Sequence, residues 1–147
     1  MKIILQRVKE ASCTVEGEVI SSIKNGYLLL VGFTHTDTIK EVQYLAKKVA
    51  NLRVFEDEHN KLNLSILDKG YDILSISQFT IYGSAKKGNR PSFTDAMEPN
   101  KANELYEELS NILINEYAIK TQNGAFGKHM DIHLINDGPV TITLESK

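Results

Sequence analysis

An uninterrupted apolar run, Tyr27 to Val31, directly follows an Asn25-Gly26 pair. An Asn-Gly pair favours a tight turn, and a short apolar run bounded by turn residues is typical of a buried strand. The chain has 147 residues, a length at which roughly two thirds of the unfolded surface is buried in one core. We therefore expect a single domain over residues 1–147, built around this strand.

Further strand signals surround the run. Residues 2–8 carry loosely alternating apolar side chains, and Gly17 centres a predicted hairpin because glycine accepts the positive φ of tight turns. Residues 73–82 form a predicted strand whose far end turns polar. Alternation over 129–134 and the run at 140–144 predict two more strands near the end of the chain.

Two segments have the periodicity of amphipathic helices. Thr38 and Glu41 have the spacing of a capping box, and apolar residues recur at helical spacing through Leu52. A second helix is predicted from about Asn100 to Tyr117, with apolar residues every three or four positions. Two main helices among about seven strands predict a mixed α/β domain whose helices cover one face of sheet.

Composition excludes several classes of protein. The chain is 41% hydrophobic with a net charge of −2, which is ordinary for a globular protein and argues against disorder, collagen or a coiled coil. Cys13 is the only cysteine and cannot form an internal disulfide. Lys2 and Arg7 place charge too early for a signal peptide. No apolar run approaches the roughly 20 residues of a membrane helix, so a cytoplasmic protein is expected.

The near-neutral charge argues against a protein that coats long nucleic acid through its phosphates. It does not exclude one that buries only the tip of an RNA. The densest positive patch contains Lys86, Lys87 and Arg90, interleaved with Gly, Asn and Pro. Such a stretch is either a solvated loop, the more common case, or an ordered loop that contacts phosphate.

Familiar catalytic motifs are missing. The chain has no Cys pair, and His129 and His133 lack the Glu of a His-Glu-x-x-His helix, so we expect no metal and solvent-facing histidines. Neither a Gly-x-Gly-x-x-Gly nor a Walker-type loop occurs, and no cofactor is expected. Ser77 and Thr80 offer hydroxyls at a strand end, but a hydroxyl nucleophile needs an oriented base and none is evident.

The segment Asn136-Asp137-Gly138-Pro139 allows two interpretations. The more common is a hairpin turn. The alternative is a Gly-Pro bond held cis, a state of roughly 5–6% of X-Pro bonds in folded proteins that usually has a positional reason.

Four motifs occur in order along the chain: Ser77-Gln78-Phe79-Thr80-Ile81-Tyr82, Arg90-Pro91-Ser92-Phe93, Phe126-Gly127 with Met130, and Asn136-Asp137-Gly138-Pro139-Val140-Thr141. Together with Gln6-Arg7-Val8 and Val15-Glu16-Gly17, they resemble the D-aminoacyl-tRNA deacylase family, also called D-tyrosyl-tRNA deacylases. The resemblance covers the full length.

The resemblance implies a cytoplasmic homodimer with β/β/α layers that hydrolyses the ester joining a D-amino acid to the terminal adenosine of tRNA, without metal or cofactor. It places Ser77, Gln78, Phe79 and Thr80 along the catalytic pocket. It also implies a cis Gly138-Pro139 pair that reaches into the partner's pocket and rejects L-amino acids. Phe126 and Met130 match positions around the terminal adenine, and Arg7, Lys86 and Arg90 are the remaining predicted substrate-binding residues.

The expected chemistry follows from the proposed roles. Gln78 and the amides of Phe79 and Thr80 could stabilise an oxyanion, and the ribose 2′-OH is expected to help activate water while Thr80 only orients groups. Glycyl-tRNA should also be cleaved, since glycine has no side chain to exclude. The chain departs from the usual family sequence at Lys128-His129 and Ser84-Ala85, which affects tRNA preference. A non-enzymatic nucleic-acid-binding module on the same fold is the alternative, and a general esterase a more distant one.

Overall fold

The computed structural model describes residues 1–146, and eight strands supply most of its regular structure. In chain order the elements are β1 (Lys2–Val15), β2 (Glu18–Ile23), β3 (Gly26–Gly32), α1 (Ile39–Asn51), β4 (Phe55–Glu56), β5 (Leu62–Leu64), α2 (Ile66–Lys69), β6 (Asp72–Ser77), a 3₁₀ helix (Phe79–Tyr82), α3 (Pro99–Asn115), β7 (Thr121–Asn123) and β8 (Asp131–Glu145).

Strand β1 is the hub of the main sheet. Its first half pairs with β3 and its second half with β2, while β8 runs antiparallel along almost its whole other edge. Beyond β3 the sheet continues with β6 and β7, both in parallel pairings. The sheet is therefore mixed, as expected, and β4 and β5 form a separate small hairpin.

The apolar run in β3 is buried because it has a core on each face. Tyr27, Leu29 and Val31 pack in the core beneath helices α1 and α3. Leu28 lies in a second core with Ala11 and other residues of the second half of β1. The second half of β1, with β2 and the start of β8, thus covers the face of β3 opposite the helices, which gives the expected β/β/α layers.

A change of phase in β1 makes this double coverage possible. Ile3 and Leu5 face the helix-side core, whereas Val8 and Ala11 face the second core. The switch occurs between Val8 and Ala11, where the pairing of β1 with β8 shifts register between Val8 and Glu10. Such a bulge bends the strand locally, which directs the second half of β1 over the opposite face of β3.

Both predicted main helices are present. Helix α1 begins with the predicted capping box, in which the Thr38 hydroxyl accepts from the Lys40 amide at 3.3 Å and Glu41 accepts from the Thr38 amide at 2.7 Å. Helix α3 ends at Asn115, two residues before the predicted end. The short helix α2 was not predicted. None of the helices within residues 1–146 has the length and apolarity needed to cross a membrane.

The turn signal at Gly17 is confirmed, but the tight turn predicted at Asn25-Gly26 is only a bend between β2 and β3, which continue in one register along β1. The predicted hairpin turn at residues 136–139 is wrong. Gly17 has φ +83° in a turn between β1 and β2. Residues 131–145 instead form one continuous strand, because both halves pair with the same neighbour in the same direction. Asp137, Gly138 and Pro139, which signal a turn in the sequence, lie in a bulge of β8 opposite Arg7.

Candidate active site

The site begins where β3 and β6 end side by side. Val31 is the register partner of Ser77, and the Gln78 amide donates to the Val31 carbonyl at 2.7 Å. The predicted strand over residues 73–82 is correct only to Ser77. Beyond this point β3 offers no further partner, so the chain closes into the 3₁₀ helix Phe79–Tyr82, with the Gly83 amide bonded to the Thr80 carbonyl at 2.8 Å.

Gly32 allows this turn to lie close against β3. A Cβ atom at Gly32 would stand 2.6 Å from Cγ1 of Ile81 and 3.0 Å from the Gln78 carbonyl oxygen. Any side chain there would push the 3₁₀ helix outward. Gly32 was not among the predicted site residues, although a glycine that ends a buried apolar strand is a sequence signal for such a close approach.

A cavity of about 790 Å³ opens beside this turn. Its walls come from four parts of the chain: the end of β3, the end of β6 with the following turn, the loop before α3 with the start of that helix, and residues 126–132. Of the predicted site residues, this one cavity brings together Ser77, Gln78, Phe79, Phe126 and Met130. Thr80 follows directly and is exposed.

Three phenylalanines line the cavity: Phe79, Phe93 and Phe126. Phe79 and Phe93 meet edge to face with ring centroids 5.3 Å apart. Phe126 packs against Tyr106, whose hydroxyl donates to the Ser75 carbonyl at 2.6 Å. Burial raises the pKa of Tyr106 to about 12, so the phenol stays neutral and acts as a fixed support for Phe126. Flat apolar walls of this kind suit a planar ring.

The polar groups at the turn are donors and acceptors without a base. The Gln78 side-chain amide donates to the Thr80 hydroxyl oxygen, and an amide cannot remove the hydroxyl proton. The amides of Phe79 and Thr80 start a helical turn, where N–H groups have no partner inside the helix. The site therefore offers hydrogen-bond donors to a developing oxyanion.

Three residues that line the cavity can ionise: Glu98, Lys128 and His129. Glu98 caps α3, and hydrogen bonds from the Asn100 and Lys101 amides hold the pKa of its carboxyl below the usual range. It is thus a helix cap and remains ionised at neutral pH. Across residues 1–146, the His, Cys, Asp and Glu side chains form no group of three that could hold a metal ion.

Gly138 and Pro139 lie elsewhere in the same chain. Their peptide bond is cis, and both residues are exposed on β8 and do not line the cavity. Arg7 is only 3% exposed and also does not line it. The Arg7 guanidinium instead donates to the Asp137 carbonyl at 3.0 Å and to the Val54 carbonyl at 2.7 Å. Arg7 therefore holds the Gly-Pro segment within its own chain.

The predicted basic contacts are outside the cavity as well. Lys86 and Arg90 are exposed on a loop closed by the pairing of Ser84 with Ser92. The loop leads into Phe93, which does line the cavity. His129 and His133 are exposed as predicted, and His129 lies 3.6 Å from a carboxylate oxygen of Asp131.

A family model described as D-Tyr-tRNA(Tyr) deacylase matches residues 4–145. The chain belongs to the D-Tyr-tRNA(Tyr) deacylase family. Relatives named D-aminoacyl-tRNA deacylase include one from Brevibacillus brevis, 53% identical with 99% of this chain and 100% of the relative covered. Another, from Exiguobacterium sibiricum, is 55% identical with 99% of each chain covered.

Two solved structures share the family fold. One, titled c-Myc DNA Unwinding Element Binding Protein, has a TM-score of 0.94 at 45% identity and covers 100% of this chain and 99% of its own. The other, titled a probable eukaryotic D-amino acid tRNA deacylase, has a TM-score of 0.87 at 14% identity and covers 99% of this chain and 98% of its own. The family predicted from the motifs is therefore confirmed, and with it the fold.

Replacement of Arg7 by Met should lower the free energy of unfolding by about 3 kcal/mol, because it leaves two backbone carbonyls without their buried donor. Chemical denaturation at one fixed protein concentration measures the effect. Lys24→Met is the matched control: Lys24 pairs with Glu10 but is 87% exposed, so the unfolding midpoint should hardly move. Equal effects of the two substitutions would contradict the role given to Arg7.

Proposed function

We propose that the protein is a D-aminoacyl-tRNA deacylase, which hydrolyses the ester between a D-amino acid and the terminal adenosine of tRNA and works in the cytoplasm. The observation that carries the proposal is the single cavity that joins Ser77, Gln78 and Phe79 to Phe126 and Met130, in a chain whose relatives bear that name. The aminoacyl group would lie against the turn at β6, and the adenine between Phe126 and Met130.

Chirality would be selected by a second subunit. In this proposal the protein is a homodimer, and Gly138 and Pro139 of one chain enter the cavity of the other. Support comes from their exposure outside their own cavity and from the buried Arg7 that fixes the adjoining Asp137 carbonyl. Backbone carbonyls in this segment would accept hydrogen bonds from the substrate α-ammonium and leave no space for an L side chain. This backbone segment would discriminate by excluding the abundant L-aminoacyl-tRNA.

Water activation would come from the substrate. The ionisable residues that line the cavity are a helix cap, an exposed lysine and an exposed histidine, and Thr80 is bonded to an amide rather than to a base. The ribose 2′-OH, adjacent to the ester, is then the available group to orient and activate water. Gln78 and the amides of Phe79 and Thr80 would stabilise the oxyanion.

Non-enzymatic DNA binding is the second candidate, and it is favoured by the 45% identity to the structure titled c-Myc DNA Unwinding Element Binding Protein. The cavity argues for the enzyme, because a duplex cannot enter it while a single terminal nucleotide can. A DNA-binding module should bind duplex DNA with an affinity that falls steeply as salt is raised.

Matched D- and L-tyrosyl-tRNA test the activity most simply. The protein should release free D-tyrosine rapidly and leave L-tyrosyl-tRNA intact over the same period, as measured by released amino acid. Hydrolysis of both substrates, or of neither, would refute the proposed activity.

Glycyl-tRNA, including tRNA(Ala) mischarged with glycine, tests how selection works. Since exclusion acts on an L side chain and glycine has none, glycyl-tRNA should be cleaved together with D-tyrosyl-tRNA. Glycyl-tRNA that stays intact under conditions that consume D-tyrosyl-tRNA would show that a D side chain is actively recognised instead.

Thr80→Ala should keep activity within about tenfold of the wild type, a loss of at most about 1.4 kcal/mol. A tRNA ending in 2′-deoxyadenosine and acylated at its 3′-OH should not be hydrolysed, because it lacks the proposed activating group. The two single-turnover rates, measured side by side, separate substrate assistance from nucleophilic catalysis. Isolation of an acyl-Thr80 adduct would reverse the assignment.

A further inference from the structure

One cation at the cavity is unused by the mechanism above. Lys128 is an exposed residue that lines the cavity. Within residues 1–146, it takes part in none of the ion pairs. Its ammonium group is thus available to a ligand at the mouth of the cavity.

The local backbone places Lys128 beside the proposed adenine wall. The Lys128 amide donates to the Ala125 carbonyl at 3.2 Å, and Gly127 has φ +74°. This closes a tight turn that carries Phe126 and Lys128 two positions apart, and both line the cavity. An aromatic ring and a cation are thus presented by one four-residue turn.

The nearby carboxylates make contacts of their own, and none of them forms an ion pair with Lys128. The Glu98 carboxylate accepts from two amides at the start of α3, at 2.9 and 3.0 Å, and His129 lies near Asp131 at 3.6 Å. The mouth of the cavity therefore presents an ammonium group that forms no ion pair within residues 1–146, although the whole chain has a net charge of −2. A ligand with both an aromatic ring and an anionic group could stack on Phe126 and pair with Lys128.

We propose that Lys128 binds the 5′-phosphate of the terminal adenosine, so that recognition extends from the base to its phosphodiester. This inference rests on the proposed function. The 5′-phosphate is the anion nearest to the adenine along the RNA, and an ammonium–phosphate hydrogen bond is of the strong, charge-assisted kind. The ester lies on the other side of the ribose, so Lys128 acts on binding and not on the chemical step.

Two small esters isolate this contact: 3′-O-D-tyrosyl-adenosine and the same compound with a 5′-phosphate. The wild-type protein should hydrolyse the phosphorylated ester with a kcat/KM about tenfold higher. Lys128→Ala should reduce this preference to less than about twofold, and Lys128→Arg should keep most of it. On D-tyrosyl-tRNA, Lys128→Ala should raise KM about tenfold and leave kcat unchanged.

Lys61→Ala serves as the control, because Lys61 is exposed on the β4–β5 hairpin and does not line the cavity. Equal kcat/KM values for the two esters in the wild type, or a preference that survives in Lys128→Ala, would overturn the inference. If both esters react too slowly to measure, an unchanged KM for D-tyrosyl-tRNA in Lys128→Ala overturns it. Failure of the wild type on D-tyrosyl-tRNA would instead refute the proposed function.

Discussion

The pairing of β1 with β8 along nearly its whole length is the interaction on which the rest of the structure depends. It joins the two ends of the chain, and its register shift between Val8 and Glu10 lets β1 serve one core with its first half and another with its second. Without that change of phase, the apolar run of β3 would have cover on one face only. The neighbouring register shift, between Gln6 and Val8, contains Gly138 and Pro139 on β8, so the fold and the proposed chiral filter use adjacent irregularities of one strand pairing.

The cavity lies at the other end of β3 and has a different physical basis. Parallel strands β3 and β6 end together, and Gly32 lets the following turn lie against them. The turn supplies donors, the aromatic residues supply flat walls, and the ionisable groups stay at the rim. In the proposed mechanism the enzyme would contribute positioning and electrostatic stabilisation, while the substrate would contribute the group that activates water.

Local signals predicted those elements that local chemistry determines. The capping box at Thr38 and Glu41 and the turn at Gly17 involve neighbours in sequence, and both were correct. The Asn25-Gly26 signal produced only a bend, because β2 and β3 both pair with β1 in one continuous register. The strand predicted over residues 73–82 was too long, because β6 ends where its partner β3 ends. The position of that end is determined by β3 and not by the sequence of the segment itself. The error at residues 136–139 has a similar cause, since turn residues also suit a bulge in a long strand.

The site could be predicted in part, through motifs and not through periodicity. The consecutive residues Ser77, Gln78 and Phe79 are far in sequence from Phe126 and Met130, and the two groups meet only in the folded chain. Gly32 was missed although its place at the end of a buried apolar strand signals a close approach, because only the fold shows that Ile81 is the residue that approaches it. Arg7 was assigned to the substrate, whereas its burial against Val54 and Asp137 makes it a structural support for the Gly-Pro segment.

The central claim is that each active site is completed by the partner chain, and subunit mixing tests it most directly. Gln78→Ala removes a donor at the turn. Gly138→Ala places a Cβ 3.1 Å from Val140 and 3.2 Å from Arg7 at φ +121°, which displaces the segment. Each variant alone should be nearly inactive on D-tyrosyl-tRNA. After subunit exchange the mixture should recover about a quarter of the wild-type rate, because half of the dimers are mixed and each has one intact site. Folded, exchanging variants that show no recovery would contradict the account.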